Sequence, residues 1–252
     1  MVTFGLVAAA CGADDPADPT TTGVDAGVSG DVTVFAASSL TAAFTEIGEA
    51  FMTEYPDAAV TFNFGASSEL VTQINEGAPA DVFASADLSN MATLTDAGGN
   101  AGEPAVFAHN LAAIIVGAGN PKGITGVADL TNGDLIVVLC APEVPCGTYA
   151  ASVFENAGVT VTPKSLEENV TAVVTKGTLG EADAGIVYVT DVIAAGSAAD
   201  GVDIPADINV VADYPIAVTK DAANPQGAQA FIDFVLSEQG QKILGSYGFT
   251  AP

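Results

Sequence analysis

From Asp31 onward, short apolar runs alternate with amphipathic stretches, and this alternation confines the chain to an α/β architecture. Val32-Thr33-Val34-Phe35 reads as a strand. Leu40, Phe44, Ile47 and Phe51 then recur along one helical stripe, which Pro56 stops. A second strand is expected over 60–64, and a helix bearing Leu70, Val71 and Ile74 closes at Gly77. A third strand over 80–84 leads to Asp87, placed to cap a helix carrying Leu88, Met91 and Leu94. Further strands are expected over 111–116, 135–139, 184–189 and 216–218, the last led in by 208–211. Helices are expected around Tyr149, Val153 and Phe154 up to Gly158, around Val170, Val173 and Val174 up to Gly177, from Pro225 through Val235, and over 239–247. No repeat of fixed period is present.

Two of the strand ends share a design. Phe35-Ala36-Ala37-Ser38-Ser39-Leu40 and Phe64-Gly65-Ala66-Ser67-Ser68-Glu69-Leu70 both pass from strand through small residues to a serine pair where a helix begins. The first N–H groups of a helix lack intrahelical acceptors and carry the positive end of its dipole, so they suit an anion. Two such starts, with hydroxyls added, point to one oxyanion held between them. The plain alternative is that Ser39 and Ser67 only cap their helices; Ser38 and Ser68 are the neighbours that a one-residue shift of register would select.

Charge sharpens this reading. The chain of 252 residues has 31 acidic side chains against 5 lysines, no arginine, and a net charge of −26. Nucleic acid and anionic membrane surfaces want basic patches and are excluded as partners. A small anion is not, because exposed charges beyond about 8 Å are largely screened at physiological salt while dipoles in a closed site are not. The acidity reads as a solvated surface, and no clustered ligand motif suggests a cation site. A serine hydrolase would need a general base; His109 is the only histidine, reads as structural, and no Gly-x-Ser-x-Gly elbow surrounds the serines.

Residues 1–10 are apolar, uncharged and too short to span a bilayer. They read as a signal remnant, 1–11, ending at Cys11. Ala8-Ala9-Ala10 before that cysteine and Gly12-Ala13-Asp14-Asp15-Pro16 after it are similar to a bacterial lipoprotein processing site, although the usual leucine three residues upstream is absent. Residues 12–30 have the composition of a disordered linker. In an exported chain, Cys140 and Cys146 suit a small-loop disulfide better than free thiols or a metal site.

Apolar strands flanked by polar loops near 110 and 215 suggest two crossings between lobes: 31–109 plus 216–252 form lobe I and 110–215 lobe II. Such a hinge of two crossing segments suits closure on a ligand. In order along the chain, Val32-Thr33-Val34-Phe35-Ala36-Ala37-Ser38-Ser39-Leu40, Glu76-Gly77-Ala78-Pro79-Ala80-Asp81-Val82-Phe83-Ala84-Ser85-Ala86-Asp87, Pro142-Glu143-Val144-Pro145-Cys146-Gly147-Thr148-Tyr149, Gly185-Ile186-Val187-Tyr188, Tyr214-Pro215-Ile216-Ala217-Val218 and Tyr247-Gly248-Phe249 resemble the molybdate-binding proteins that serve ABC importers. The resemblance covers essentially 31–250. It implies a two-lobed, periplasmic-binding-protein-like α/β fold, each lobe a central sheet flanked by helices. It also implies a monomer outside the cytoplasm that is not an enzyme, needs no cofactor, and hands molybdate or tungstate to an ABC permease. Position by position, it places ligand contacts on Ser39 and Ser67, on the backbone N–H groups of Cys146 and Val170, and on the Tyr188 hydroxyl. Four N–H groups (39, 67, 146, 170) and three hydroxyls then surround the ion. Such a cage of donors favours an ion with no proton of its own; sulfate or another oxyanion is the alternative within the same fold.

Overall fold

The computed structural model describes residues 1–3 and 27–252. Cys11, leader positions 4–10 and linker positions 12–26 lie outside the described residues. Strand β1 (Gly30–Ala37) runs parallel to β2 (Ala58–Gly65) on one side and to β3 (Val82–Ala84) on the other. Strand β4 (Asn100–Gly117) is long and bulged, and β9 (Val211–Thr219) lies antiparallel both to it and to β3. From Ala112 onward β4 changes partners and pairs with β7 (Ala184–Tyr188) and β8 (Ala199–Asp203). Parallel to β7 runs β5 (Val137–Cys140), and parallel to β5 runs β6 (Ser165–Glu167). The strand order is β2-β1-β3-β9-β4-β7-β5-β6, with β8 beside β4. Strand β4 therefore carries the chain from one half of the sheet to the other. Register shifts in β4 at Ala101/Ala105 and Val106/Ala108 interrupt its pairing with β9.

Helix α1 (Thr41–Glu54) buries Phe44, Ile47 and Phe51, the stripe read from the sequence. Phe44 and Phe51 both meet Phe231 edge-on, at 5.9 and 5.5 Å between ring centres. Phe231 belongs to α7 (Pro225–Leu236), which Asn224 caps and Pro225 opens. Aromatic burial of this kind contributes roughly 2–3 kcal/mol per side chain. The remaining helices are α2 (Ser67–Asn75), α3 (Leu88–Asp96), α4 (Pro145–Ala157), α5 (Val170–Thr178), α6 (Val189–Ala195) and α8 (Glu238–Ser246). Gly158 ends α4 at φ +65°, a left-handed turn that glycine adopts without strain.

Two local expectations are corrected. Ser39 does not cap α1: a 3₁₀ turn over Ser38–Leu40 intervenes, and Leu40 holds the cap position. The strand expected over 184–189 stops at Tyr188, because Val189 opens α6.

The fold directs five strand ends toward one place. At their carboxyl ends β1, β2, β5, β6 and β7 each turn into a helix start: the 3₁₀ turn before α1, then α2, α4, α5 and α6. Ligands of α/β sheets bind at that end of the strands.

Candidate anion site

Ser39, Ser67, Cys146, Val170 and Tyr188 come together around one small cavity. Ser67 and Val170 are the first residues of α2 and α5, and Cys146 follows Pro145 in the first turn of α4. With the 3₁₀ turn at Ser39, four helical starts thus present N–H groups that no carbonyl of their own helix can accept. Their dipoles add a local positive potential without a cationic side chain.

Neither serine serves as a helix cap. The Ser67 hydroxyl oxygen accepts a hydrogen bond from the Ala86 N–H at 3.0 Å, so its own hydrogen is left for the cavity. The Ser39 oxygen lies 2.9 Å from the Tyr214 hydroxyl. Tyr214 is fully buried and stands 3.5 Å from the side-chain nitrogen of Asn110, which donates to Thr190 at 2.8 Å.

On α5 the cap is Asn169, whose side chain accepts from the Ala172 N–H at 3.0 Å; this leaves the Val170 N–H out of the capping interaction. Cys146 is joined by a disulfide to Cys140, the last residue of β5. Gly147 follows, and a Cβ there would sit 2.0 Å from the Ala141 carbonyl oxygen, so the α4 start packs against the preceding loop as only glycine allows.

Tyr188 ends β7 and precedes α6. Its N–H donates to Asp191 at 2.9 Å, and its ring lies edge-on between Tyr149 and Tyr214 at 6.2 and 6.0 Å. Its hydroxyl is buried and has no hydrogen-bond partner among the described residues. An orphaned hydroxyl of this kind costs about 1–3 kcal/mol unless something bonds to it. Burial, then the neighbouring Tyr214 and Tyr149 hydroxyls, push its pKa well above 10. Burial likewise raises Tyr214. Both phenols therefore keep their hydrogens and can donate.

No lysine lines the cavity. Lys176 is paired with Glu167 at 2.5 Å and Lys122 with Asp183 at 3.4 Å. His109 sits outside the cavity on β4, with Nδ1 2.7 Å from an Asp213 carboxylate oxygen, and its backbone exchanges hydrogen bonds with Thr250. Asp81 and Asp87 brace loops: Asp81 accepts from the N–H groups of Thr33 and Asn224, and Asp87 caps α3 by accepting from the Asn90 N–H. Tyr214, Asn110, Ala86 and Asp191 complete the surroundings and were not singled out from the sequence. Tyr214 lies in a segment that carried the family resemblance, but strand alternation does not tell which hydroxyl will meet a serine.

The signature of the family described as bacterial extracellular solute-binding protein matches residues 32–250. The molybdate-binding protein ModA of Mycobacterium tuberculosis is 43% identical over 252 residues, covering 100% of this chain and 95% of its own. The protein of the same name from Escherichia coli is 33% identical over 231 residues, covering 88% of this chain and 89% of its own. Among solved structures, the periplasmic molybdate-binding protein of Azotobacter vinelandii superposes with a TM-score of 0.77 over 88% of this chain and 99% of its own. At 20% identity that last likeness supports the fold alone.

Proposed function

Since this chain belongs to the bacterial extracellular solute-binding proteins, which capture a solute for transport and do not transform it, we propose that its cavity binds molybdate or tungstate for delivery to an ABC permease. The observation that carries the reading is the orphaned Tyr188 hydroxyl facing the same space as four helical starts and two serines. A tetrahedral dianion would satisfy all of them. Seven bonds to a charged guest contribute roughly 1.5–3 kcal/mol each. Association costs about 4–15 kcal/mol, so micromolar to nanomolar affinity, about 8–12 kcal/mol, is within reach.

In this reading Ser39 and Ser67 contribute hydroxyl and N–H donors, Cys146 and Val170 contribute N–H groups, and Tyr188 contributes its hydroxyl. Lobe I (31–109 plus 216–252) and lobe II (110–215) close on the ion, turning about β4 and β9. Bonds donated from both sides shift the population toward the closed form. No helix of the described residues is long and apolar enough to cross a membrane. Cys11 is proposed as the lipid-bearing residue that tethers the protein outside the cell, with the following polar segment as its leash; mass spectrometry of the native protein would show the added acyl mass, and an unmodified Cys11 would refute this.

Calorimetric titration with molybdate, tungstate, sulfate and hydrogen phosphate tests the main proposal. Molybdate and tungstate are expected to bind at micromolar affinity or tighter. Ser39→Ala, Ser67→Ala and Tyr188→Phe should each lose about tenfold, as expected for a bond to a charged guest. No heat and no thermal shift with either metal oxyanion would refute the assignment.

A further inference from the structure

We propose that Tyr214, held by Asn110, is a positioning residue that sets the oxyanion specificity of the cavity. It fixes the hydrogen of the Ser39 hydroxyl so that Ser39 donates to the guest and does not accept from it. This deepens the proposed function and rests on it.

The direction of the relay follows from its anchored end. The Asn110 side-chain oxygen accepts from the Leu111 N–H at 2.9 Å, which fixes how the amide is turned. Its nitrogen then faces Thr190 at 2.8 Å and the Tyr214 oxygen at 3.5 Å. An amide nitrogen only donates. The Tyr214 oxygen is therefore the acceptor on that side, and its single hydrogen is free to point along the 2.9 Å contact to Ser39. In the proposed orientation the Ser39 oxygen accepts from Tyr214 and turns its own hydrogen into the cavity. Ser67 shows the same polarity by a different route, because the Ala86 N–H behind it cannot reverse.

Asn110, Tyr214 and Thr190 are all buried, so bulk water does not compete for these bonds. The relay also spans the proposed lobes: Asn110, Thr190 and Tyr214 fall within 110–215, and Ser39, which Tyr214 meets at 2.9 Å, falls within 31–109. With both serines committed as donors, an ion carrying its own O–H meets hydrogens where it needs a lone pair. Hydrogen phosphate is penalised and molybdate is not. Only the Tyr188 hydroxyl has no donor behind it, so the discrimination is finite.

Tyr214→Phe removes the relay and keeps the ring, which packs edge-on against Phe107, Tyr188 and Phe249. Wild type and variant are titrated with molybdate and with phosphate at pH 8, alongside thermal melts. In the variant, Ser39 becomes able to accept. Molybdate affinity is expected to fall about five- to tenfold, hydrogen phosphate affinity to hold or rise, and the ratio between them to narrow about tenfold. Asn110→Leu, which leaves the phenol in place but frees its hydrogen, should narrow the ratio in the same direction by less. A parallel loss for both ions, or an unchanged ratio, would show Tyr214 to be packing only and overturn the relay. If Tyr214→Phe does not fold, Asn110→Leu decides by the same ratio. Failure of wild type to bind molybdate is seen before any variant is made, and would remove the proposed function itself.

Discussion

Asp191 is buried at the third position of α6, next to the cavity, where its carboxylate accepts the Tyr188 N–H. Burial raises its pKa from 3.8 to about 7, against the opposing pull of that hydrogen bond. In the unfolded chain the group loses its proton near pH 4. Between about pH 4 and 7 the folded state therefore holds a proton that the unfolded state has lost. Stability from this group falls as pH rises through that window and levels off above about 7. Asp191→Asn keeps an oxygen for the Tyr188 N–H and removes the charge. It should raise the melting temperature at pH 8 by several degrees, at about 2–4 °C per kcal/mol for a chain of this size, and flatten the melting curve's pH dependence between about pH 4 and 7. The same charge disfavours negative charge at Tyr188, so it should also repel a bound dianion. Wild type is expected to bind molybdate more weakly at pH 8 than at pH 6, and Asp191→Asn to show a shallower slope. Identical slopes would refute this. In the sequence Asp191 is one of 31 acidic residues, and only burial, which depends on the whole fold, singles it out.

At the scale of elements, the alternating pattern made the main strands and helices legible, because each buries a stripe whose period shows in the residues. What escaped notice forms for other reasons. Strand β8, Ala-Asp-Gly-Val-Asp, has little apolar alternation and is a strand only because β4 offers it a partner. Strand β6 is three residues long and incompletely buried. The starts of α1 and α2 were visible through their serines; those of α4 and α5 carry donors on Cys146 and Val170, whose side chains do not advertise a backbone N–H. Family resemblance located these two, and Pro145 and Asn169 are the local signals that could have done so. Two glycines, Gly147 in the first turn of α4 and Gly158 just past its end, separate stability from binding. Gly147→Ala drives a Cβ to 2.0 Å from the Ala141 oxygen, a backbone atom that cannot swing aside, so the loop holding the Cys146 N–H must move. Gly158→Ala meets nothing within 4 Å and costs only the strain of φ +65°, about 1 kcal/mol. Both variants should melt earlier, but only Gly147→Ala should weaken molybdate binding, by about tenfold or more for a displaced donor to a charged guest. Equal loss of affinity in the two would show that the α4 start does not hold the ion. The Cys140–Cys146 disulfide braces the same loop, and its reduction should weaken binding in the same direction by a smaller factor.

For the whole molecule, the net charge of −26 and the proposed dianionic guest have the same sign, and the distance over which each field acts resolves the conflict. Surface carboxylates repel an approaching anion through solvent, where the Debye length is about 10 Å at 0.1 M salt and about 30 Å at 0.01 M. Helix starts and hydroxyls act only within the cavity, where no counterion intervenes. Repulsion should therefore govern the approach and leave the bound state nearly untouched. Association should speed up as potassium chloride rises from about 10 to 500 mM, by up to an order of magnitude for a steering effect of this kind, while dissociation stays constant. Affinity should consequently increase with salt, the reverse of what a lysine-lined anion site shows, since screening weakens attraction there. Tyrosine emission offers a direct readout in stopped flow: the chain has no tryptophan, and of its 5 tyrosines, Tyr188 lines the cavity with Tyr149 and Tyr214 packed against it. An association rate that falls with salt would place net attraction outside the cavity and require a cationic surface near its mouth. None of the 5 lysines lines the cavity, and Lys176 and Lys122 are already paired with Glu167 and Asp183; the rising rate is therefore the outcome that local dipoles alone produce.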